Sequence, residues 1–165
     1  MKTKGLEVDE DTSQNWLSSG SDSLKVIGYG ISITETQDVK ELIAQSGVSV
    51  EMRHFTDNER STYKSGARRI EYFAGRWTAK QAVLKALGKE MYEDTAWLDI
   101  EIQRLPTGEP SVVLHGKFKQ MAVSLGITKW LLSISHESSY AAASAIALGM
   151  CNKQSSFLPL KCTST

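Results

Sequence analysis

The chain has 165 residues, of which 41% are hydrophobic and 23% are charged, and this balance is typical of a single-domain globular protein. Nineteen Lys and Arg side chains offset nineteen Asp and Glu side chains, so no overall charge favours nucleic acid or an anionic membrane as a partner. No stretch of the sequence approaches the roughly 20 apolar residues that a membrane-spanning helix needs.

Both ends of the chain are polar, which predicts a leader and a tail around one domain. Residues 1–24 are rich in Ser, Asp and Glu and lack the apolar region of a secretory signal, so we predict a flexible leader and a cytoplasmic protein. Residues 150–165 return to a polar composition and contain Cys151 and Cys162, which we interpret as reduced thiols. The folded domain is therefore predicted to span residues 25–149.

The domain begins with a strand over residues 24–34. This segment is rich in β-branched side chains, and its end alternates between apolar and hydroxyl residues. Gly28 and Gly30 lie inside the strand. Glycine in a strand usually indicates close approach by another backbone or by a ligand.

Two helices are predicted next. The first starts within residues 36–38 and runs to about Gln45, because Gly47 should end it. The second starts at a capping box, in which Thr56 is the N-cap residue and Glu59 stands three positions later.

A third helix, over residues 70–87 with Gly88 as its C-cap, is the most informative segment. Its helical spacing places several apolar side chains in one core-facing stripe: Phe73, Trp77, Leu84 and Leu87. Lys80 falls in the middle of that stripe, with Gln81 and Lys85 on its flank. Two interpretations remain open for Lys80: its stem extends towards water, or it borders a groove with Lys85 and binds an anion such as a phosphate.

The remaining pattern contains two pairs of strands with a helix between them. The strands are predicted over residues 97–103, 111–115, 129–135 and 140–148, and the helix over residues 117–125. This order of elements predicts an α+β fold with an antiparallel sheet. His136 follows one of these strands at a turn; a histidine there is more often a structural hydrogen-bonding group, and no Ser-His-Asp arrangement accompanies it.

Four blocks of sequence, in order, resemble the holo-acyl-carrier-protein synthases, a family of 4′-phosphopantetheinyl transferases. Residues 27–35 are similar to G-x-G-x-D-I-x-E, and residues 73–88, the most specific block, to F-A-x-R-[FW]-A-A-K-E-A-x-x-K-A-[LF]-G. The others are residues 55–59 and a final block with G-x-P at 108–110, S-I-S-H at 133–136 and Y-A-A-A at 140–143. The match covers nearly the whole predicted domain.

The resemblance implies a trimer of α+β subunits with coenzyme A bound between them. In this family the phosphopantetheine group of coenzyme A is moved onto a serine of an acyl carrier protein, and adenosine 3′,5′-bisphosphate is released. Magnesium bridges the pyrophosphate and offsets the developing charge. The partners implied for this chain are therefore coenzyme A, or an acyl small molecule, and an acyl carrier protein.

Site residues are carried over by position. Lys80 and Lys85 match basic positions near the nucleotide phosphates, His136 matches a histidine at the mouth of the site, and Arg76 matches an arginine that supports the helix or its ligands. The candidate catalytic residues are Lys85, Glu35, His136 and Lys80. The candidate coenzyme-binding residues are Arg76, Lys80, Lys85, Gly88, Pro110 and His136.

The sequence departs from the family pattern at its two magnesium ligands. Ser32 stands where the family has aspartate, and Gln81 stands where it has glutamate. Magnesium prefers hard, anionic oxygens, and these substitutions remove two negative charges. The resemblance therefore implies a family fold, whereas the substituted ligands argue against ordinary magnesium binding.

The predicted carrier-binding helix also departs from the family. Its start, residues 37–42, has Asp38 where an arginine is expected and contains two acids and one base. Electrostatic steering of an acidic carrier protein would be weakened by this change.

Three functions are consistent with these observations. The chain is a divergent phosphopantetheinyl transferase, a catalytically inactive protein that binds coenzyme A or a carrier, or a repurposed enzyme that acts without metal on a carrier-bound or small acyl substrate. His136, Glu35 and Lys80 are the acid–base candidates for the last of these.

Overall fold

The computed structural model describes residues 24–62, 68–92 and 94–150. Residues Leu24–Met150 form one compact unit. The predicted leader and tail, including both cysteines, lie almost entirely outside the described residues, so the proposed domain boundaries stay predictions. Within the described part of the chain, no helix is long and apolar enough to cross a membrane.

The described residues form four α-helices and five strands, which confirms the predicted α+β class. In chain order they are β1 (Leu24–Glu35), α1 (Thr36–His54), α2 (Asp57–Thr62), α3 (Arg68–Ala86), β2 (Ile100–Arg104), β3 (Pro110–Leu114), α4 (Gly116–Ser124), β4 (Ile127–His136) and β5 (Tyr140–Met150).

Strand β5 is the centre of a three-stranded antiparallel sheet of order β1-β5-β4, and β2 and β3 form a separate hairpin. One face of β5 carries only small buried side chains, at Ala141, Ala143, Ala145 and Ala147. Small side chains let a helix approach the sheet closely, and α3 packs across this face. The register pairs Ser32 of β1 with Ala143 and places Ser133 of β4 opposite Ser144.

The predicted core stripe of α3 is confirmed. Phe73, Leu84 and Leu87 are at most 5% exposed, and Trp77 packs against them as a partly buried side chain. This stripe packs against the sheet and the β2–β3 hairpin in the main core, and its burial contributes to the stability of the domain.

The predicted end of α1 is wrong, because the helix continues through Gly47 to His54. A glycine inside a helix costs about 1 kcal/mol relative to alanine, which tertiary packing readily offsets. Here the extension buries Val50 and Glu51, and Glu51 accepts a 2.6 Å hydrogen bond from Arg69 at the start of α3. These contacts lie beyond the reach of a local sequence pattern.

The predicted start of β2 is also wrong, because Trp97–Asp99 forms a 3₁₀ turn before the strand. Trp97 is 4% exposed and its ring lies 4.6 Å from that of Trp77. Its carbonyl oxygen accepts a hydrogen bond from Lys80 instead of joining a strand ladder. The strand therefore begins at Ile100.

Two predicted helix caps are confirmed. The Thr56 N–H donates to Glu59 Oε2 at 2.8 Å, and the Glu59 N–H donates to Thr56 Oγ1 at 3.3 Å, which is a reciprocal capping box. At the end of α3, Gly88 has a φ of +69° and its N–H donates to the Lys85 carbonyl oxygen at 2.9 Å.

Candidate active site

The first half of the site is created by the close packing of α3 on β1. A Cβ atom added to Gly28 would overlap the carbonyl oxygen of Ala86, and one added to Gly30 would overlap that of Ala82. The glycines of β1 therefore serve the approach of another backbone, one of the two explanations that the sequence left open. Farther along the strand, the same face of β1 brings Ser32 against α3.

Ser32 and Gln81, the two family magnesium positions, are joined by a direct hydrogen bond. The Ser32 hydroxyl donates to Gln81 Oε1 at 2.6 Å, and Ser32 is only 4% exposed. Both groups are neutral, and the serine proton and the amide oxygen satisfy each other without a cation. Magnesium requires near-octahedral coordination by hard oxygens, and proteins usually hold it through one or two carboxylates, so this neutral pair does not fit it.

Among the described residues, no other group replaces these two carboxylates. The described residues contain no cluster of three or more His, Cys, Asp or Glu side chains that could hold a metal ion. Glu35, the acid retained in the opening block, is exposed at the end of β1, where it pairs with Tyr140 and precedes α1. Glu35 thus lies three residues beyond Ser32 on the same strand.

Lys85 lies one helical turn beyond Gln81 and is exposed. Its ammonium donates to the carbonyl oxygen of Ile31 at 2.9 Å. Lys85 and Gln81 therefore contact two consecutive residues of β1, Ile31 and Ser32. We call Ser32, Gln81 and Lys85 the strand–helix cluster.

The second half of the site is a cleft of about 960 Å³ at the other end of α3. Three of the predicted coenzyme-binding residues line it: Arg76, Pro110 and His136. The strand–helix cluster is not among its lining residues. We call this the main cleft, and its volume is within the range of ligand pockets, about 300–1,000 Å³.

Arg76 places a positive charge in the wall of the main cleft. The residue is 8% exposed, and its guanidinium carbon lies 4.6 Å from the centre of the Tyr72 ring. Its Nε is buried and has no hydrogen-bond partner within the described residues. Because the guanidinium stays protonated, Arg76 gives this wall of the cleft a permanent positive charge, which favours an anionic ligand.

His136 is exposed and lies beside Gly75 of α3. A Cβ atom added to Gly75 would lie 3.3 Å from the His136 ring, so the glycine leaves space for the imidazole. His136 is among the residues that line the main cleft, and its role there stays a prediction.

Sequence reasoning missed the other members of the lining, which include two arginines and a tyrosine: Arg68, Arg104 and Tyr72. Arg68, Tyr72 and Arg76 are spaced four residues apart on α3, so they share one helix face. That spacing was visible in the sequence and could have identified the first two. Arg104 reaches the cleft only because the β2–β3 hairpin folds over α3, which no local pattern indicates.

The structure does not place Lys80 in either half of the site. Lys80 is fully buried, and its ammonium contacts Glu59 Oε2 at 2.8 Å, the His54 carbonyl oxygen at 2.6 Å and the Trp97 carbonyl oxygen at 3.1 Å. Burial lowers the pKa of Lys80, although the Glu59 carboxylate opposes this shift. Both sequence interpretations of Lys80 are therefore corrected: it neither extends to water nor faces a groove, because all three donors are used inside the domain.

Gly88, another predicted coenzyme-binding residue, does not line the main cleft. It is exposed beyond the end of α3, and its left-handed backbone conformation caps that helix. This cap accounts for the glycine without a ligand.

Comparison with known proteins identifies the family. Residues 28–145 match the family model described as the 4′-phosphopantetheinyl transferase superfamily. The chain is 39% identical over 121 residues to the holo-[acyl-carrier-protein] synthase of Koribacter versatilis (strain Ellin345), which covers 73% of this chain and 97% of that protein. It is 41% identical over 121 residues to the enzyme of the same name from Clostridium kluyveri, covering 73% and 89%.

Solved structures agree with this match. A holo-ACP-synthase from Plasmodium yoelii superimposes with a TM-score of 0.67 at 28% identity, covering 77% of this chain and 98% of that one. A holo-(acyl-carrier-protein) synthase from Bacillus anthracis in complex with CoA (3′,5′-ADP) gives 0.62 at 28% identity, covering 77% and 99%. The chain belongs to the 4′-phosphopantetheinyl transferase superfamily, as a member of its holo-acyl-carrier-protein synthase type.

Proposed function

We propose that this protein binds coenzyme A and transfers its 4′-phosphopantetheine group to a serine of an acyl carrier protein. The observation that carries the proposal is the main cleft, which is lined by the cation Arg76 together with Pro110 and His136. Members of the same family whose structures resemble this chain have been solved with coenzyme A.

The transfer is a substitution at phosphorus that needs a base and cationic groups. The serine hydroxyl of the carrier attacks the phosphorus next to pantetheine, the bond from that phosphorus to the bridging oxygen breaks, and adenosine 3′,5′-bisphosphate leaves. A base must accept the serine proton, and cationic groups must offset the charge on the leaving oxygen. His136 and Glu35 are our candidates for the base, and Lys85 and Arg76 for the cations.

No step of this proposal passes through magnesium, because Ser32 and Gln81 do not fit the ion. The protein's own cations have to offset the phosphate charge. Arg76 is suited to bind a phosphate group by a charged hydrogen bond, and the exposed Lys85 supplies a second charge.

The two halves of the site are separate within one subunit, and we propose that a second copy of the chain brings them together in a homotrimer. The outer face of the three-stranded sheet is apolar and exposed, at Tyr29, Ile31, Ile33 and Leu131. Exposed apolar patches of this kind often mark an interaction surface. Light scattering should report three subunits, and Ile31→Glu should reduce the mass to that of one subunit and weaken coenzyme A binding.

A matched variant for this test is Val123→Glu on α4, where the side chain is 71% exposed. It introduces the same charge on a different surface and should leave the mass unchanged. A wild-type mass of one subunit at all protein concentrations would contradict the trimer.

The test of transfer is mass spectrometry of apo carrier proteins after incubation with this protein and coenzyme A, with and without magnesium. A gain of one phosphopantetheine group on the carrier serine supports the proposal. No gain on any carrier would reject transfer.

The hydrogen bond between Ser32 and Gln81 favours a second candidate, a protein that binds coenzyme A or a carrier without transferring the group. In that case calorimetry detects coenzyme A binding while the carrier mass stays constant. Conversion of an acyl substrate that is added to these mixtures in EDTA would instead identify the repurposed, metal-independent enzyme.

A further inference from the structure

The net charge at the two family magnesium positions is the starting point. Ser32 and Gln81 stand there in place of the family's aspartate and glutamate. In the family pattern, two carboxylates and one divalent cation sum to no net charge. Ser32 and Gln81 are both neutral and reach the same sum without a cation. The long-range electrostatic field at this point is therefore similar to that of the metal-loaded family pattern. What Ser32 and Gln81 remove is the direct bond between a metal and phosphate oxygens.

The hydrogen bond between the two side chains also decides which of their atoms remain available. Ser32 uses its proton on Gln81 Oε1 at 2.6 Å. This fixes the Gln81 amide so that its oxygen faces β1, and the two N–H groups of Nε2 find no acceptor within the described residues. An amide held in this way offers donors to a ligand, whereas a metal would need its oxygen.

Lys85 adds a positive charge beside this amide. Residues four apart on a helix have Cβ atoms about 5–6 Å from each other, so the Gln81 amide and the Lys85 stem are neighbours. The Lys85 ammonium uses one donor on the Ile31 carbonyl oxygen and makes no other hydrogen bond within the described residues. A cation placed here would be repelled, and an anion would be attracted.

We infer that Gln81 and Lys85 form a metal-independent anion subsite, in which the amide N–H groups and the ammonium bind the diphosphate of coenzyme A directly. Ser32 is a positioning residue, since it holds the amide through Oε1 and does not touch the ligand. The inference rests on the proposed binding of coenzyme A, and it assigns to Gln81 the contact with phosphate oxygens that a metal makes in the family pattern.

Calorimetric titration of the full chain with coenzyme A, in EDTA and then in magnesium chloride, tests the inference. We expect dissociation constants that agree within about twofold, because no group in the cluster gains from the ion. Binding that is tenfold or more tighter in magnesium would overturn the metal-independent subsite. If coenzyme A does not bind under either condition, the proposed function itself is rejected.

Two variants test the role of the amide. Gln81→Met keeps the approximate size and removes the donors, so coenzyme A should bind about tenfold more weakly, as expected for loss of a hydrogen bond to a charged group. Gln81→Glu places a negative charge against the diphosphate and should weaken binding further in EDTA. Unchanged affinity in Gln81→Met would overturn the inference.

The double variant Ser32→Asp with Gln81→Glu restores both carboxylates and should make coenzyme A binding magnesium-dependent. A double variant that binds coenzyme A equally well in EDTA and in magnesium would contradict the inference. Gln120→Glu, at an exposed position on α4, introduces the charge change of the single variant Gln81→Glu elsewhere and should leave affinity unchanged. Circular dichroism of each variant verifies that the fold is retained.

Discussion

Lys80 and Glu59 form an ion pair of 2.8 Å in which the side chains are 0% and 1% exposed. The same ammonium donates to the carbonyl oxygens of His54 and Trp97, and Glu59 accepts the Ile102 N–H at 2.9 Å. One lysine of α3 thereby connects the end of α1, the start of α2 and the segment that leads into β2. The pair is a structural junction, although its lysine lies in the sequence block most typical of the family.

Lys80→Met should destabilise the domain strongly, because it leaves the Glu59 carboxylate buried without its cation. Breaking a buried ion pair from one side costs about 3–5 kcal/mol, which urea denaturation would measure as a lower unfolding free energy. The double variant Lys80→Met with Glu59→Gln should recover part of this loss, since no buried charge remains. A variant of normal stability that fails only to bind coenzyme A would instead make Lys80 a ligand-binding residue.

Lys85→Ala should have the opposite effects to Lys80→Met: the stability of the domain should be nearly unchanged, and coenzyme A should bind more weakly. The side chain is exposed and its ammonium hydrogen-bonds only to the Ile31 carbonyl oxygen within the described residues, so the unfolding free energy should change by less than about 0.5 kcal/mol. Coenzyme A affinity should fall about tenfold through loss of a charged contact. Lys89→Ala, which removes another exposed lysine just beyond α3, is the matched control and should leave the affinity unaltered.

Gly30→Ala should disrupt the packing of α3 on β1. The added Cβ would overlap the Ala82 carbonyl oxygen and lie 2.8 Å from the Lys85 Cβ, so strand and helix would have to separate. We expect a loss of more than about 3 kcal/mol, at the high end for a single substitution. Gly88→Ala meets no atom within 4 Å and has only its φ of +69° to accommodate, so it should cost about 1–2 kcal/mol. Equal losses in the two variants would contradict the packing argument.

The stability of the domain should decrease below neutral pH, in part through His54. Burial lowers the pKa of the His54 imidazole below its ordinary value of 6.5, and the Lys80 ammonium lowers it further, while a hydrogen bond to the Val50 carbonyl oxygen acts in the opposite direction. As the pH falls through about 6.5, the unfolded chain therefore takes up a proton that the folded chain resists, and the unfolding free energy decreases.

His54→Gln should remove this contribution. Urea denaturation at about pH 7.5 and about pH 5 would show a smaller decrease in the variant than in the wild type. Because other groups also titrate in this range, the difference between the two proteins is the informative quantity. A decrease of equal size in both would show that His54 makes no contribution.

Asp38→Arg should accelerate the reaction with an acidic carrier protein. Asp38 is exposed in the first turn of α1, where the family resemblance implies a basic carrier-binding side chain. Reversing its charge should raise kcat/KM for the carrier severalfold to about tenfold at low salt, with a smaller gain at high salt. Asp94→Arg makes the same change at another exposed position and should have little effect; equal gains would indicate a general charge effect.

Much of the fold could be predicted from the sequence because its signals are local. The capping box at Thr56 and Glu59 and the C-cap at Gly88 each depend on residues within one or two helical turns, and the structure confirms both. The extension of α1 to His54 could not be predicted, because it depends on contacts such as the ion pair between Glu51 and Arg69.

The sequence by itself determined the family and the loss of two carboxylates, since the order of the motifs and the identity of Ser32 and Gln81 can be read residue by residue. Only the tertiary structure decided what these residues do. Burial and long-range contacts pair Lys80 with Glu59 and leave Lys85 exposed. They also place Ser32 within hydrogen-bonding distance of Gln81. Three predicted coenzyme-binding residues line one cleft: Arg76, Pro110 and His136. The physical reason is that the charge and hydrogen-bonding capacity of a side chain are fixed by its chemistry, whereas its partner is fixed by the packing of segments distant in the chain.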